Sequence, residues 1–253
     1  MDSKKRFSTR VKHYVKYRPG YPADVIETLK ADCGLTPDSV IADVGSGTGL
    51  LSMQFLEAGC RVIGVEPNAE MRSAGETLLS GFSKFSSVNG AAEATSLPEN
   101  SVDFVCAGQA FHWFDPIKAR AEFLRILRDA GWAVLVWNER RTISTPFLRE
   151  YEALLHTYAT DYQEVNHRNV EEHPDTIPTF FGGAYKVAYF ENVQRFDFEG
   201  VRGRLLSSSY APEPDHPNYE PMIAELRRIF DLHQEHGIVS FEYDTRMFYG
   251  KLK

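Results

Sequence analysis

The chain lacks most of the features that place a protein in a class at first sight. Cysteine is scarce: Cys33, Cys60 and Cys106 each stand alone in an apolar segment. That spacing builds neither a disulfide framework nor a zinc site, and it reads as packing thiols in a reducing compartment. No window reaches the ~18 uninterrupted apolar residues of a membrane span. The basic stretch 1–10 is not followed by the apolar core of a signal peptide. Positive charge is not in excess: the net charge is −7, which argues against a nucleic-acid substrate and leaves room only for a local basic groove. There is no internal repeat and no low-complexity tract. His156, His167 and His173 are too scattered for a metal centre.

An ordinary soluble composition remains, 43% hydrophobic and 25% charged over 253 residues. That length suits one large α/β domain or a core with a subdomain. The expectation is a cytoplasmic protein that acts on a small molecule, without nucleic acid, membrane or metal. The oligomeric state stays open.

The most informative stretch runs from Val40 to Leu51. An apolar strand-type run breaks at Gly45, Gly47 and Gly49, with Ser46 in the turn, and then leads into a helical pattern. A strand that ends in such a turn and feeds a helix aims backbone N–H groups and a helix N-terminus at one spot. A second strand, 61–65, ends on Glu66, which places a carboxylate where it can take both hydroxyls of a ribose. Together these predict a nucleoside-cofactor site. The dinucleotide fingerprint G-x-G-x-x-G requires a third glycine where this chain has Leu50, so a nicotinamide-dependent oxidoreductase is disfavoured.

The D-x-G-x-G-x-G pattern of Asp43, Gly45, Gly47 and Gly49 resembles motif I of the class I S-adenosylmethionine (SAM)-dependent methyltransferases. The string Y-R-P-G-Y-P at 17–22 and the His112-Trp113 pair resemble a small-molecule subgroup that includes trans-aconitate methyltransferase-like proteins. The resemblance implies SAM as cofactor, bound by Asp43, Gly45, Ser46, Gly47, Gly49 and Glu66. It also implies a lid at about 1–21, in which Tyr14, Tyr17 and Arg18 cover the methionyl end. The loop 89–98 is similar to the family's adenine-binding loop, which assigns Ala92 and Glu93 to the adenine.

In chain order, apolar periodicity predicts strands at 85–88, 101–106 and 132–138, with helices between them. Ile117, Ala121, Leu124 and Leu127 form the inward face of the helix before the last of these strands. This alternation is the signature of a doubly wound sheet. The SAM-binding core is expected at about 22–140, a helical cap insertion at about 141–185 and the remaining sheet at about 186–253. In that last part, strand material is broken near Asn192, and 239–249 forms a partly exposed antiparallel strand near an edge. The expected fold is therefore a Rossmann-like seven-stranded sheet with an antiparallel last strand and a helical cap.

The aromatic run after the fourth strand lies where ligands of open α/β sheets bind. Gln109 is assigned to the cofactor, and His112 and Trp113 to the acceptor pocket. His112 or Tyr14 can serve as a base if the acceptor is an alcohol or amine. The expected function is SAM-dependent methylation of a small molecule. The alternative is a SAM-binding protein without transfer activity, a sensor or assembly partner.

Overall fold

The computed structural model describes residues 16–162 and 175–252. The first half alternates helix and strand: α1 (Asp24–Cys33), β1 (Val40–Val44), α2 (Leu50–Glu57), β2 (Arg61–Val65), α3 (Ala69–Leu78), β3 (Phe85–Val88), β4 (Val102–Gly108), α4 (Pro116–Ile126) and β5 (Leu127–Arg140). The second half is richer in helix: α5 (Pro146–Tyr158), α6 (Thr176–Phe181), β6 (Tyr185–Phe196), α7 (Phe198–Leu206), α8 (Tyr219–His233) and β7 (Val239–Gly250).

Local chemistry sets the boundaries. Asn68 caps α3 by accepting the Met71 amide, and Asp115 caps α4 through the amides of Ile117 and Lys118, with Pro116 in the first turn. Such caps satisfy amide donors that the helix itself leaves open. At the other end of α1, Gly34 takes the left-handed conformation that closes a helix.

The strands form one sheet in the order β3-β2-β1-β4-β5-β7-β6. The pairs β1·β2, β2·β3, β1·β4 and β4·β5 are parallel. The last strand runs antiparallel to its neighbours, so that Trp132 packs on Tyr249 while Asn138 bonds Thr245. The expected Rossmann-like sheet with an antiparallel last strand is thus present. From β1, third in that order, the chain winds outward through β2 and β3 and then crosses back to the central strand β4. The crevice beyond the carboxyl ends of β1 and β4 is the topological switch point, where open α/β sheets bind ligands.

The chain divides into two compact units. One comprises Gly20–Asn138, Arg168–Phe190 and Thr245–Lys253; the other comprises Met1–Pro19, Glu139–His167 and Glu191–Asp244, as far as these are described. In the first unit, the period-two alternation of strand side chains feeds two cores. Ala42 and Val44 join Phe111, Phe123, Trp137, Ile177 and Phe180 on one face of the sheet. Ile41, Phe104 and Val136 pack with Val25, Leu29, Leu51 and Phe55 on the other. In the second unit, Tyr151 and Leu155 of α5 pack with Leu205 of α7, Leu226 and Phe230 of α8, and Phe241 of β7.

Two expectations change, the break near Asn192 and the inward face of α4. The strand β6 runs unbroken through Asn192 at the edge of the sheet, and β7 lies beside it, near the edge as expected. The inward face of α4 is carried by Ala119, Glu122, Phe123 and Ile126, and Ile117 is 75% exposed. The reason is Glu122, an inward carboxylate that accepts the amide and hydroxyl of Thr95 (2.8 and 2.6 Å) and pairs with Arg125. Pattern reading takes a charged residue as outward and so rotates the helix. Within 141–185, α5 belongs to the second unit and α6 to the first. Among the described residues, no helix is long and apolar enough to cross a membrane, and no group of three or more His, Cys, Asp or Glu is placed to hold a metal.

Candidate functional site

The three glycines after β1 all adopt positive φ (+69°, +55° and +85°), a region that side chains other than glycine rarely enter. Packing adds a second constraint. A Cβ on Gly45 would stand 2.6 Å from the Ala110 Cβ, and one on Gly49 would stand 2.5 Å from Leu79. The turn is therefore pressed against the loop that follows β4.

Hydrogen bonds hold the turn to the end of β2. The amides of Gly45 and Ser46 both donate to the Val65 carbonyl (2.8 and 3.2 Å). The Gly47 amide donates to Glu66 Oε2 (2.9 Å), and the Asn68 amide donates to Glu66 Oε1 (2.8 Å). Glu66 thus joins the glycine turn to the start of α3, and its carboxylate lies at the tip of β2 as the sequence predicts.

Asp43 lies behind the turn, buried. One oxygen accepts the Ser52 hydroxyl of α2 (2.6 Å), and the other has no partner among the described residues. Burial pushes its carboxyl up to about 6, and the neighbouring charge of Glu66 adds to the rise. Its bond to Ser52 ties β1 to α2, the two elements that the turn joins.

Across the switch point, Gln109 ends β4 with φ +54°, a conformation uncommon for a residue with a Cβ. Its amide donates to the Val136 carbonyl (2.9 Å) and its Nε2 to the Asn138 carbonyl (3.0 Å). Its Oε1 is buried with no partner among the described residues. Asn138 reaches Gly20 through its Nδ2 (3.0 Å) and accepts the Thr245 hydroxyl (2.5 Å). The Tyr21 hydroxyl lies over Gly108, where a Cβ would displace it.

The aromatic run divides by depth. Phe111 is core, edge-on to Trp137 and Phe180. The rings of His112 and Trp113 lie 4.7 Å apart; Trp113 is 45% exposed, while both ring nitrogens of His112 are buried. Burial lowers the His112 imidazole to about 4, so it is neutral at neutral pH. Glu93 Oε1 accepts the Asp115 amide (2.8 Å), which ties the 89–98 loop to the loop after β4. Ala92 packs into the core beneath it.

Of the residues singled out from sequence, Gly45, Gly47, Gly49, Glu66, Glu93, Gln109, His112 and Trp113 belong to the three loops beyond β1, β2 and β4 and the loop tied to them. Tyr14 lies outside the described residues. Tyr17 and Arg18 belong to the second unit, where Tyr17 packs against Gly203 and Phe196 and Arg18 Nη2 donates to the Ser207 carbonyl (3.0 Å). Sequence reasoning missed Ser52, Tyr21 and Asn138. Ser52 stands nine positions after Asp43 with no motif to mark it, and the Gly20–Asn138 bond spans 118 positions.

Residues 42–135 match the family of the methyltransferase domain. The matched span runs from β1 into β5 and contains every candidate residue of the first unit's three loops. An uncharacterised methyltransferase of Mycobacterium bovis is 37% identical over 134 residues, 53% of this chain and 52% of that protein. The chain thus spans about half the length of that relative. An uncharacterised methyltransferase of Schizosaccharomyces pombe is 27% identical over 224 residues, 88% of this chain and 86% of that protein. A candidate type II methyltransferase of Anaeromyxobacter dehalogenans superposes with a TM-score of 0.63 at 21% identity, covering 93% of this chain and 98% of that one. The fold is the Rossmann-like methyltransferase fold.

Proposed function

We propose that the chain is a SAM-dependent methyltransferase that acts on a small-molecule acceptor in the cytoplasm, without nucleic acid or metal. The observation that carries this reading is the glycine turn bonded to Glu66 at the switch point, inside the span that matches the methyltransferase domain. The residues present suit SAM. Glu66 offers an anionic acceptor for the ribose hydroxyls at the end of β2. Gln109 Oε1 is a buried acceptor with no partner among the described residues, and the three positive-φ glycines shape a turn whose Gly47 amide is bonded to Glu66. The 89–98 loop, with Ala92 and Glu93, is assigned to the adenine. The cofactor residues proposed are those of the first unit, with Asp43 supporting the turn.

When bound, SAM supplies a methyl group on a sulfonium, open to in-line displacement. The protein's share is to hold the acceptor in line, a contribution worth up to ~7–11 kcal/mol. Trp113 is assigned to the wall of the acceptor pocket. His112, neutral and partly buried, orients the acceptor by hydrogen bonding. A base of pKa about 4 is weak at neutral pH, which suits an acceptor such as a carboxylate that has no proton to lose. The finer placement in the trans-aconitate methyltransferase-like subgroup is supported by the 17–22 string and the His112-Trp113 pair.

The test is incubation with methyl-labelled SAM and pooled metabolite fractions. Label in a small product supports the reading. Tight SAM binding with no label moved to any fraction would favour a binding protein and overturn it.

A further inference from the structure

Among the described residues of the unit that contains Glu139–His167 and Glu191–Asp244, Arg140 and Arg204 are both buried, and Arg140 pairs with a carboxylate, Glu152. Arg204 of α7 is only 5% exposed and has no carboxylate partner among the described residues. Its Nε donates to the Tyr243 hydroxyl (3.1 Å) and its Nη1 to the Ser208 hydroxyl (3.2 Å). Arg140, at the end of β5, turns Nη2 toward Glu152 and the Tyr162 hydroxyl (3.1 Å), while its Nη1 is buried with no partner among the described residues. The fully buried hydroxyl of Tyr151 has no partner among the described residues either, and the Arg140 guanidinium lies 5.1 Å from its ring centre.

These groups converge. Arg140 and Arg204 each act electrostatically on the hydroxyls of both Tyr151 and Tyr210. Burial alone would raise the Tyr210 phenol, yet Arg204, Arg140 and Arg18 outweigh it and bring the phenol below its ordinary value. Glu152 is the carboxylate of the cluster, and it already serves Arg140, accepts Tyr162 (2.8 and 2.9 Å) and stands 3.3 Å from His156.

A buried guanidinium without a counter-charge is costly, and so is a buried hydroxyl without a partner. Both penalties vanish if a planar oxyanion enters, since guanidinium donors match carboxylate and phosphate oxygens. We propose that Arg140, Arg204, Tyr151 and Tyr210 form a binding site for an anionic group of a small molecule, a carboxylate or a phosphate. Arg204 supplies the uncompensated charge, Arg140 Nη1 a second cationic donor, and Tyr151 a neutral hydroxyl donor. The site goes beyond methyl transfer and stands whether or not SAM binds.

The test titrates the full chain with sodium malonate, with inorganic phosphate and with sodium chloride at matched ionic strength, read by calorimetry and thermal melting. Saturable one-to-one binding of malonate or phosphate is expected, and which of the two binds identifies the anion class. Tyr151→Phe removes only the hydroxyl that has no partner. It should melt in chloride at or above the wild-type temperature and weaken anion binding about tenfold. Arg204→Gln should abolish binding; if it fails to fold, the Tyr151 variant decides.

Three results would overturn the proposal. One is stabilisation by chloride equal to that by both probes, and another is unchanged anion affinity in Tyr151→Phe. The third is a tyrosinate absorption band at neutral pH that disappears in Tyr210→Phe, because the protein would then neutralise the cluster itself. A SAM titration of the same sample reads the methyltransferase proposal separately.

Discussion

Replacing Glu66 by Gln perturbs the turn and the proposed ribose contact at once, and two measurements separate them. The carboxylate accepts one amide on each oxygen, from Gly47 and from Asn68. A glutamine keeps the volume but can accept only one of these donors, because its NH2 group then confronts the other N–H. Leaving one buried donor unsatisfied costs about 1–3 kcal/mol. For a chain of this size that lowers the melting temperature by ~2–4 °C per kcal/mol. Loss of a charge-assisted bond to the ribose costs SAM binding a further ~1.5–3 kcal/mol, roughly a tenfold to hundredfold rise in Kd. Thermal melting without ligand reads the first effect and calorimetric titration with SAM the second. A lower melting temperature with SAM affinity inside a threefold range would show that Glu66 is a strut of the turn alone. No change in either would refute the geometry as well.

Other perturbations test the neighbouring parts. Burial raises the Asp43 carboxyl from 3.8 to about 6; between these values the folded protein binds the extra proton, so this group costs stability as pH rises from 4 to 6 and the full cost persists above. Asp43→Asn should therefore gain on wild type by up to ~3 kcal/mol between pH 4 and pH 7; denaturant unfolding at the two pH values measures it, and a constant difference would contradict the burial argument. Trp113→Ala should lower turnover while SAM affinity stays within about threefold, since it alters acceptor positioning; abolished SAM binding would move the aromatic run into the cofactor site. His112→Gln should leave the rate–pH profile without a change between pH 6 and 7, because the imidazole is already neutral there; loss of an inflection in that range would restore a base role to His112.

How far the sequence discloses the site depends on whether the constraint is local. Gly45, Gly47 and Gly49 are legible because the turn demands positive φ, and Glu66 because the β2 run ends on it. The use of Glu66 as an acceptor for the Gly47 amide is not legible, since it depends on how two strand ends approach one another. The inward face of α4 is misread because Glu122 is buried by a partner, Thr95, that lies 27 positions away. The edge position of β6 follows from pairing order, which alternation alone cannot specify. The same limit hides Arg140 and Arg204: along the chain they look like ordinary surface charges, and only the packing of α5, α7 and β7 buries them together with Tyr151.

The turn at 45–49 with Glu66 is the proposed SAM site. Calorimetric titration of the purified chain with SAM, its demethylated product S-adenosylhomocysteine, and NAD tests it most directly. One-to-one binding of SAM and of S-adenosylhomocysteine and no heat with NAD are expected; saturable NAD binding with no heat from SAM would contradict the proposal.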